Sequence, residues 1–208
     1  MSRAEQLAPA QTGAMYDDLT KELIEAREKT VLLTDRYNAS FGDTPAEREA
    51  LLRELLDRVG PRVHFEPNFR CEVGQGIEIG DNFYANFACI MLDAGGIEIG
   101  NKVLFGPRVR IYTSDHAIHP EERAAGACCA RPVRIGTRSW IDAGVHINGG
   151  VTIGDDSIVG SGSVVTKSLP SGVIAAGVPA KPIRDISEGD RTGFIGSAGN
   201  QHQRDEDQ

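Results

Sequence analysis

Residues 135–164 read Ile135-Gly-Thr-Arg-Ser-Trp, Ile141-Asp-Ala-Gly-Val-His, Ile147-Asn-Gly-Gly-Val-Thr, Ile153-Gly-Asp-Asp-Ser-Ile and Val159-Gly-Ser-Gly-Ser-Val, and Val165 opens the next row. An aliphatic residue leads every row at a fixed step of six. Neither an α-helical period nor strict alternation produces that step. A short strand followed by a tight turn does. Three such sides close a triangular coil of about 18 residues, and coils stack by parallel backbone pairing with the leading residue pointing inward. Position five of the rows is small or β-branched, as in Ser139, Val145, Val151, Ser157 and Ser163. Gly, Asn and Asp at the corners allow positive φ.

The same step runs upstream. Val73, Ile79, Ala85 and Met91 lead one set, and Ile99, Phe105 and Ile111 lead another, displaced by two residues. Between them and residue 135 the rows vanish. The segment 113–134 carries His116, His119, Pro120, Glu121, Glu122 and Arg123 and reads as an inserted loop. A long excursion from a regular scaffold commonly carries function.

The first 60 residues have another texture. Leu19, Leu23, Ala26 and Leu33 predict a helix over 17–37. Thr44, Pro45 and Glu47 predict a capping box that opens a second helix, whose apolar face is Leu51, Leu52, Leu55 and Leu56. The expected organisation is a helical segment over 1–60, a parallel β-helix over 61–186 and a disordered tail over 187–208.

With a net charge of −8, the chain lacks the basic clusters that nucleic acid requires. No apolar run reaches membrane length, and no signal peptide is recognised. Its four cysteines form no CxxC pair. The expectation is a cytoplasmic protein with reduced thiols and no nucleic-acid or membrane partner.

Several motifs then converge. They are Phe69-Arg70-Cys71, the run Gly80-Asp-Asn-Phe-Tyr-Ala-Asn-Phe87, Asp93, Tyr112-Thr113 with His116, Trp140-Ile141, Gly160-Ser-Gly-Ser-Val-Val-Thr-Lys167 and Ala176-Gly-Val-Pro-Ala180. In this order they resemble the maltose, galactoside and nodulation O-acetyltransferases of the hexapeptide-repeat superfamily. The resemblance implies a left-handed parallel β-helix with a small N-terminal helical segment, a homotrimer with active sites between subunits, and acetyl-CoA as co-substrate with no metal. It implies acetyl transfer to a hydroxyl of a sugar or sugar-like acceptor, with the helical segment beside the acceptor.

By the same resemblance His116 is the general base, because an imidazole can take the proton of a weakly nucleophilic hydroxyl. Asn86 steadies the oxyanion and touches the acceptor. Asp17 or Asp18, Arg27, Glu72 and Asp93 match acceptor-side positions. Ala143, Ser161, Thr166, Lys167, Lys181 and Arg184 match the CoA site. The sequence departs from the family pattern at Glu72, Asp115, Asp142 and Lys181. The rival readings are a streptogramin-type xenobiotic acetyltransferase, a γ-class carbonic anhydrase-like metalloenzyme and a scaffold without turnover.

Overall fold

The computed structural model describes residues 12–194. Three parallel sheets form the sides of a triangular prism of about six turns. The first holds Arg58–Val59, Ile77–Ile79, Ile97–Ile99, Val133–Ile135 and Thr152–Ile153. The second holds His64–Phe65, Tyr84–Ala85, Leu104–Phe105, Trp140–Ile141, Ile158–Val159 and the terminal hairpin Val173–Gly177 with Ala180–Asp185. The third holds Arg70–Cys71, Ile90–Leu92, Arg110–Tyr112, His146–Asn148 and Val164–Val165.

Register shows what the six-residue step encodes. Ile99, Ile135 and Ile153 stack on the first side, Phe105, Ile141 and Val159 on the second, and Ile111, Ile147 and Val165 on the third. All nine are buried. Serines at position five are buried too, and each finds a backbone acceptor: Ser139 Oγ donates to Gly154 O at 3.1 Å and Ser157 Oγ to Pro170 O at 2.8 Å.

The two-residue displacement upstream has a physical origin. Val59 pairs with Ile79, which pairs with Ile99, so the early coils are 20 residues long, two more than Ile135 to Ile153. The extra residues lie between the third and first sides. Val73 is therefore not a leading residue. Cys71 holds that place, paired with Met91, and Val73 turns to a second apolar cluster with Leu23, Ala26, Ala94 and Ala130. The corners also differ from expectation. Arg62, Lys102, Arg108 and Arg138 take positive φ beside the glycines, a conformation that costs about 1 kcal/mol in a side-chain-bearing residue.

Helix α1 (Lys21–Ala39) begins later than the apolar spacing suggests, because Tyr16–Asp17 forms a strand instead. Helix α2 (Pro45–Leu55) opens with the expected capping box, in which Thr44 N donates to Glu47 Oε2 at 2.9 Å. The two helices close the open end of the prism. Tyr37 OH donates to Phe65 O and Asn38 Nδ2 to Phe69 O, at 3.2 and 2.9 Å, while Phe65 N and Phe69 N donate back to the same two side chains. Side chains thus take the place of a lower coil for these backbone groups, which would otherwise be an unpaired edge. Leu33, Tyr37, Leu52 and Leu55 share one core with Phe65, Phe69 and the stacked aliphatics.

The inserted loop is ordered. Ser114–His116 pairs antiparallel with Ala127–Ala130, which pairs with Tyr16–Asp17, and the short helix α3 (Pro120–Ala124) joins the first two. The expected disorder from 187 is corrected in part. Ser187 caps a 3-10 turn over Glu188–Asp190, and Arg184 binds Asp190. The rest of the expected tail, from 195, lies outside the described residues, as do residues 1–11.

Candidate active site

Outward-facing residues just past the inward stacks of the third side form a column of Glu72, Leu92, Tyr112, Asn148 and Thr166. The inserted loop leaves this column at Thr113. Its hairpin and the N-terminal strand then fold back over the column. The result is a cleft of about 350 Å³ lined by residues that include Asp18, Glu72, Tyr112, Ser114, His116 and Cys128. A larger groove of about 560 Å³ lies against Arg36, Ser40, Glu47 and Glu54 of the helices, and no imidazole or thiol lines it.

The strand Ser114–His116 presents His116 to the cleft, and its ring is exposed. Two contacts fix that strand. Asp115 Oδ2 accepts from Arg131 Nη2 at 2.6 Å, and Cys128 Sγ donates to Asp115 O at 3.2 Å. Asp115, a departure from the family pattern, thereby ties the strand to Arg131 and Cys128 immediately before the candidate base.

On the acceptor side one guanidinium joins two carboxylates. Arg27 donates through Nε and Nη2 to Glu72 Oε1 at 3.0 and 2.7 Å, and through Nη2 to Asp18 Oδ1. Burial pushes the Glu72 carboxyl above the ordinary range against the lowering effect of Arg27. Glu72 Oε2 is buried and accepts no hydrogen bond. Burial also raises the Tyr16 phenol well beyond its usual value, with Cys128 adding to the effect. The Tyr16 hydroxyl lies beside Cys128 and Ser114, but neither it nor Ser114 Oγ makes a hydrogen bond of good geometry.

Other candidates sit elsewhere. Asp17 Oδ1 accepts from Leu19 N at 2.9 Å and holds the turn before α1, so Asp18, not Asp17, faces the cleft. Asp93, expected on the acceptor side, sits inside the corner below the cleft and bonds the backbone. It is fully buried, its Oδ1 accepts from Glu72 N and Val73 N at 3.0 and 2.9 Å, and its Oδ2 accepts from Gly76 N at 3.0 Å. A Cβ on Gly76 would come within 2.2 Å of Asp93 O, so this corner admits only glycine.

Asn86 lies on a different edge of the prism, past the second side. Its Oδ1 accepts from Phe87 N at 2.8 Å. Above it on the same edge come Ala143 and Ser161, in register through Ala85, Phe105, Ile141 and Val159. Asp142 occupies both expected CoA contacts there. It accepts from Ala143 N at 2.7 Å and from Ser161 Oγ at 2.8 Å. Lys181 stands at the top of this edge opposite Ala176. Arg184, expected at the CoA site, binds Asp190 through both terminal nitrogens at 2.7 and 2.8 Å. Thr166 and Lys167 are exposed at the top of the His116 edge.

The sequence reading missed Leu92, Ser114, Cys128 and Asn148 as lining residues. Leu92 and Asn148 follow from Tyr112 once the coil length is known. Ser114 and Cys128 required the antiparallel pairing of the insertion, which no local signal announces.

Residues 11–60 match the maltose acetyltransferase hexapeptide capping motif, and residues 132–167 match the six-repeat bacterial transferase hexapeptide family. A galactoside O-acetyltransferase of Escherichia coli (strain K12) is 39 % identical, with 86 % of this chain and 88 % of that protein covered. The chain belongs to the maltose and galactoside O-acetyltransferase family. A family structure, the maltose O-acetyltransferase from Clostridium difficile 630, superposes with a TM-score of 0.84 at 40 % identity, covering 90 % of this chain and 99 % of that one. A hexapeptide-repeat acetyltransferase from Vibrio cholerae O1 biovar eltor, solved with acetyl coenzyme A, gives 0.81 at 35 % identity over 90 % and 100 % of the two chains. The prism is the left-handed β-helix of these neighbours, with the N-terminal helices at its end.

Proposed function

We propose that this protein transfers the acetyl group of acetyl-CoA to a hydroxyl of a sugar or sugar-like acceptor, at sites formed between the subunits of a homotrimer. One observation carries the shared site. A single chain places His116, Asp18 and Glu72 on one prism edge and Asn86, Ala143, Ser161 and Lys181 on another, with the third sheet between them. A second copy set against the first brings one edge of each together. The outer surface of the second sheet, beside the Asn86 edge, suits such packing. Its neighbouring residues Leu104 and Trp140 are 49 % and 44 % exposed, and Phe87 is 50 % exposed, an apolar surface of the kind that marks an interface.

The chemistry needs few parts. Holding both substrates in one cleft supplies proximity. His116 takes the hydroxyl proton as the oxygen attacks the thioester carbonyl. Asn86 of the neighbouring subunit and nearby backbone N–H groups steady the tetrahedral oxyanion. The C–S bond breaks, and the proton passes from the imidazolium to the departing thiolate. No acyl-enzyme forms. Asp18, Glu72 and Arg27 hold the acceptor. The CoA chain follows the edge of Ala143 and Ser161, where it displaces the Asp142 contacts, and reaches Lys181. Thr166 and Lys167 border it from the other subunit. The four cysteines form no disulfide, which suits a reducing compartment, and we place the protein in the cytoplasm. No helix of the described residues is long and apolar enough to cross a membrane.

The test is thiol release from acetyl-CoA across a panel of sugars and other hydroxyl compounds, repeated with His116→Ala. Turnover is expected to fall by about 10²- to 10⁴-fold with the fold intact. Unchanged turnover removes His116 from this role, and a panel without any turnover removes the reading.

A further inference from the structure

The charges of the cleft do not balance. Asp18 and Glu72 both face it and share a single cation, Arg27. Asp115, the third carboxylate of the lining, is already matched by Arg131 at 2.6 Å. His116, Tyr112 and Cys128 complete the titratable lining, and no lysine or arginine belongs to it. Within one chain, one negative charge of the Asp18–Glu72 pair is therefore left without a cation among the described residues.

The surplus has a location. Glu72 Oε1 receives both Arg27 bonds, whereas Oε2 is buried without a donor. A buried carboxylate oxygen without a donor is costly, and a charged donor relieves it most. Ser114 Oγ, also buried without a well-formed bond, lines the same cleft and can accept a further N–H.

We infer, on the reading that this cleft binds the hydroxyl acceptor, that the preferred acceptor carries a protonated amine, an amino sugar or amino polyol, whose ammonium sits on Glu72 and Asp18 while a hydroxyl points to His116. A neutral sugar supplies an O–H to Glu72 Oε2 but leaves the charge uncompensated. A carboxylate-bearing sugar adds repulsion. The bound ammonium keeps its proton and so has no lone pair with which to attack the thioester. The new bond forms at oxygen, the thioester C–S bond breaks, and the hydroxyl proton travels through His116 to the thiolate.

The experiment compares thiol release with three acceptors alike save at one substituent: a methyl hexopyranoside, its 2-amino-2-deoxy analogue and the corresponding uronic acid. The amine is expected to exceed the neutral sugar in kcat/KM by about tenfold or more, the gain of one charge-assisted contact, with the uronic acid slowest. Its product is an ester, cleaved by alkaline hydroxylamine. Glu72→Gln is expected to collapse the amine advantage. In the unmodified protein, added salt is expected to shrink the same ratio by screening, a readout that does not depend on the variant folding. Neutral-sugar turnover without an amine advantage overturns this inference and leaves O-acetyl transfer standing, as does an advantage that survives both Glu72→Gln and salt. An amide product also overturns it. Failure of all hydroxyl acceptors overturns both.

Discussion

Asp93 illustrates how much one buried side chain can hold. Its two oxygens satisfy the amides of Glu72, Val73 and Gly76 at a corner where a glycine is obligatory. Burial holds its carboxyl above the usual range, opposed by those same backbone donors. Asparagine offers one acceptor oxygen and sets an NH₂ against an N–H. Asp93→Asn is therefore expected to cost about 2–3 kcal/mol, read as a lower midpoint of denaturant unfolding, with kcat of the folded protein retained. An acceptor-binding Asp93 would instead raise the acceptor KM and leave stability alone. This role was not legible in the sequence, since an aspartate between Leu92 and Ala94 looks like any solvent-facing corner. Asp18 could not be separated from Asp17 for a similar reason. Their spacing is equal, and only the strand at Tyr16–Asp17 decides which one turns toward the cleft.

At the scale of elements, the helices were readable where their signals were local. The α2 capping box needs only Thr44, Pro45 and Glu47, and it formed as its residues dictate. What those helices do was not readable, because it depends on the coil they cover. Arg48 of α2 is the clearest case. It is a buried guanidinium that donates to Ser40 Oγ at 3.2 Å and Phe65 O at 2.9 Å, with its charge over the Tyr37 ring at 4.4 Å. It joins α2, the end of α1 and the first coil at one point. Arg48→Met retains the stem and removes these bonds. The expected loss is about 2–3 kcal/mol, since a donor with a full charge is removed from buried acceptors, seen as a lower thermal midpoint. An unchanged midpoint would mean that the aromatic and aliphatic contacts alone dock α2. The inserted loop shows the opposite limit of legibility. Its position was plain from the break in the rows, but its strands pair with each other and with residues about 110 positions upstream, and non-local pairing of short segments leaves no periodic trace.

For the whole molecule, the prism was legible because stacking selects the same residue class at every sixth position, and each chain carries many such positions. Handedness was not, since left- and right-handed coils would select the same inward residues. Nor was the distribution of candidate residues over edges, which turns on whether a coil has 20 residues or 18. That distribution yields the sharpest test of assembly. If His116 of one subunit works with Asn86 of the next, a trimer site can be built from two different inactive chains. His116→Ala chains still supply Asn86, and Asn86→Ala chains still supply His116. In randomly mixed trimers made from equal amounts, about one site in four pairs an intact His116 with an intact Asn86. Coexpressed variants are therefore expected to recover about a quarter of the unmodified turnover per site, with each variant alone nearly inactive and all three preparations sedimenting as trimers. If both residues served a site within one chain, every chain in the mixture would lack one of them. Mixing would then recover nothing, and the site would have to be rebuilt on a single prism edge.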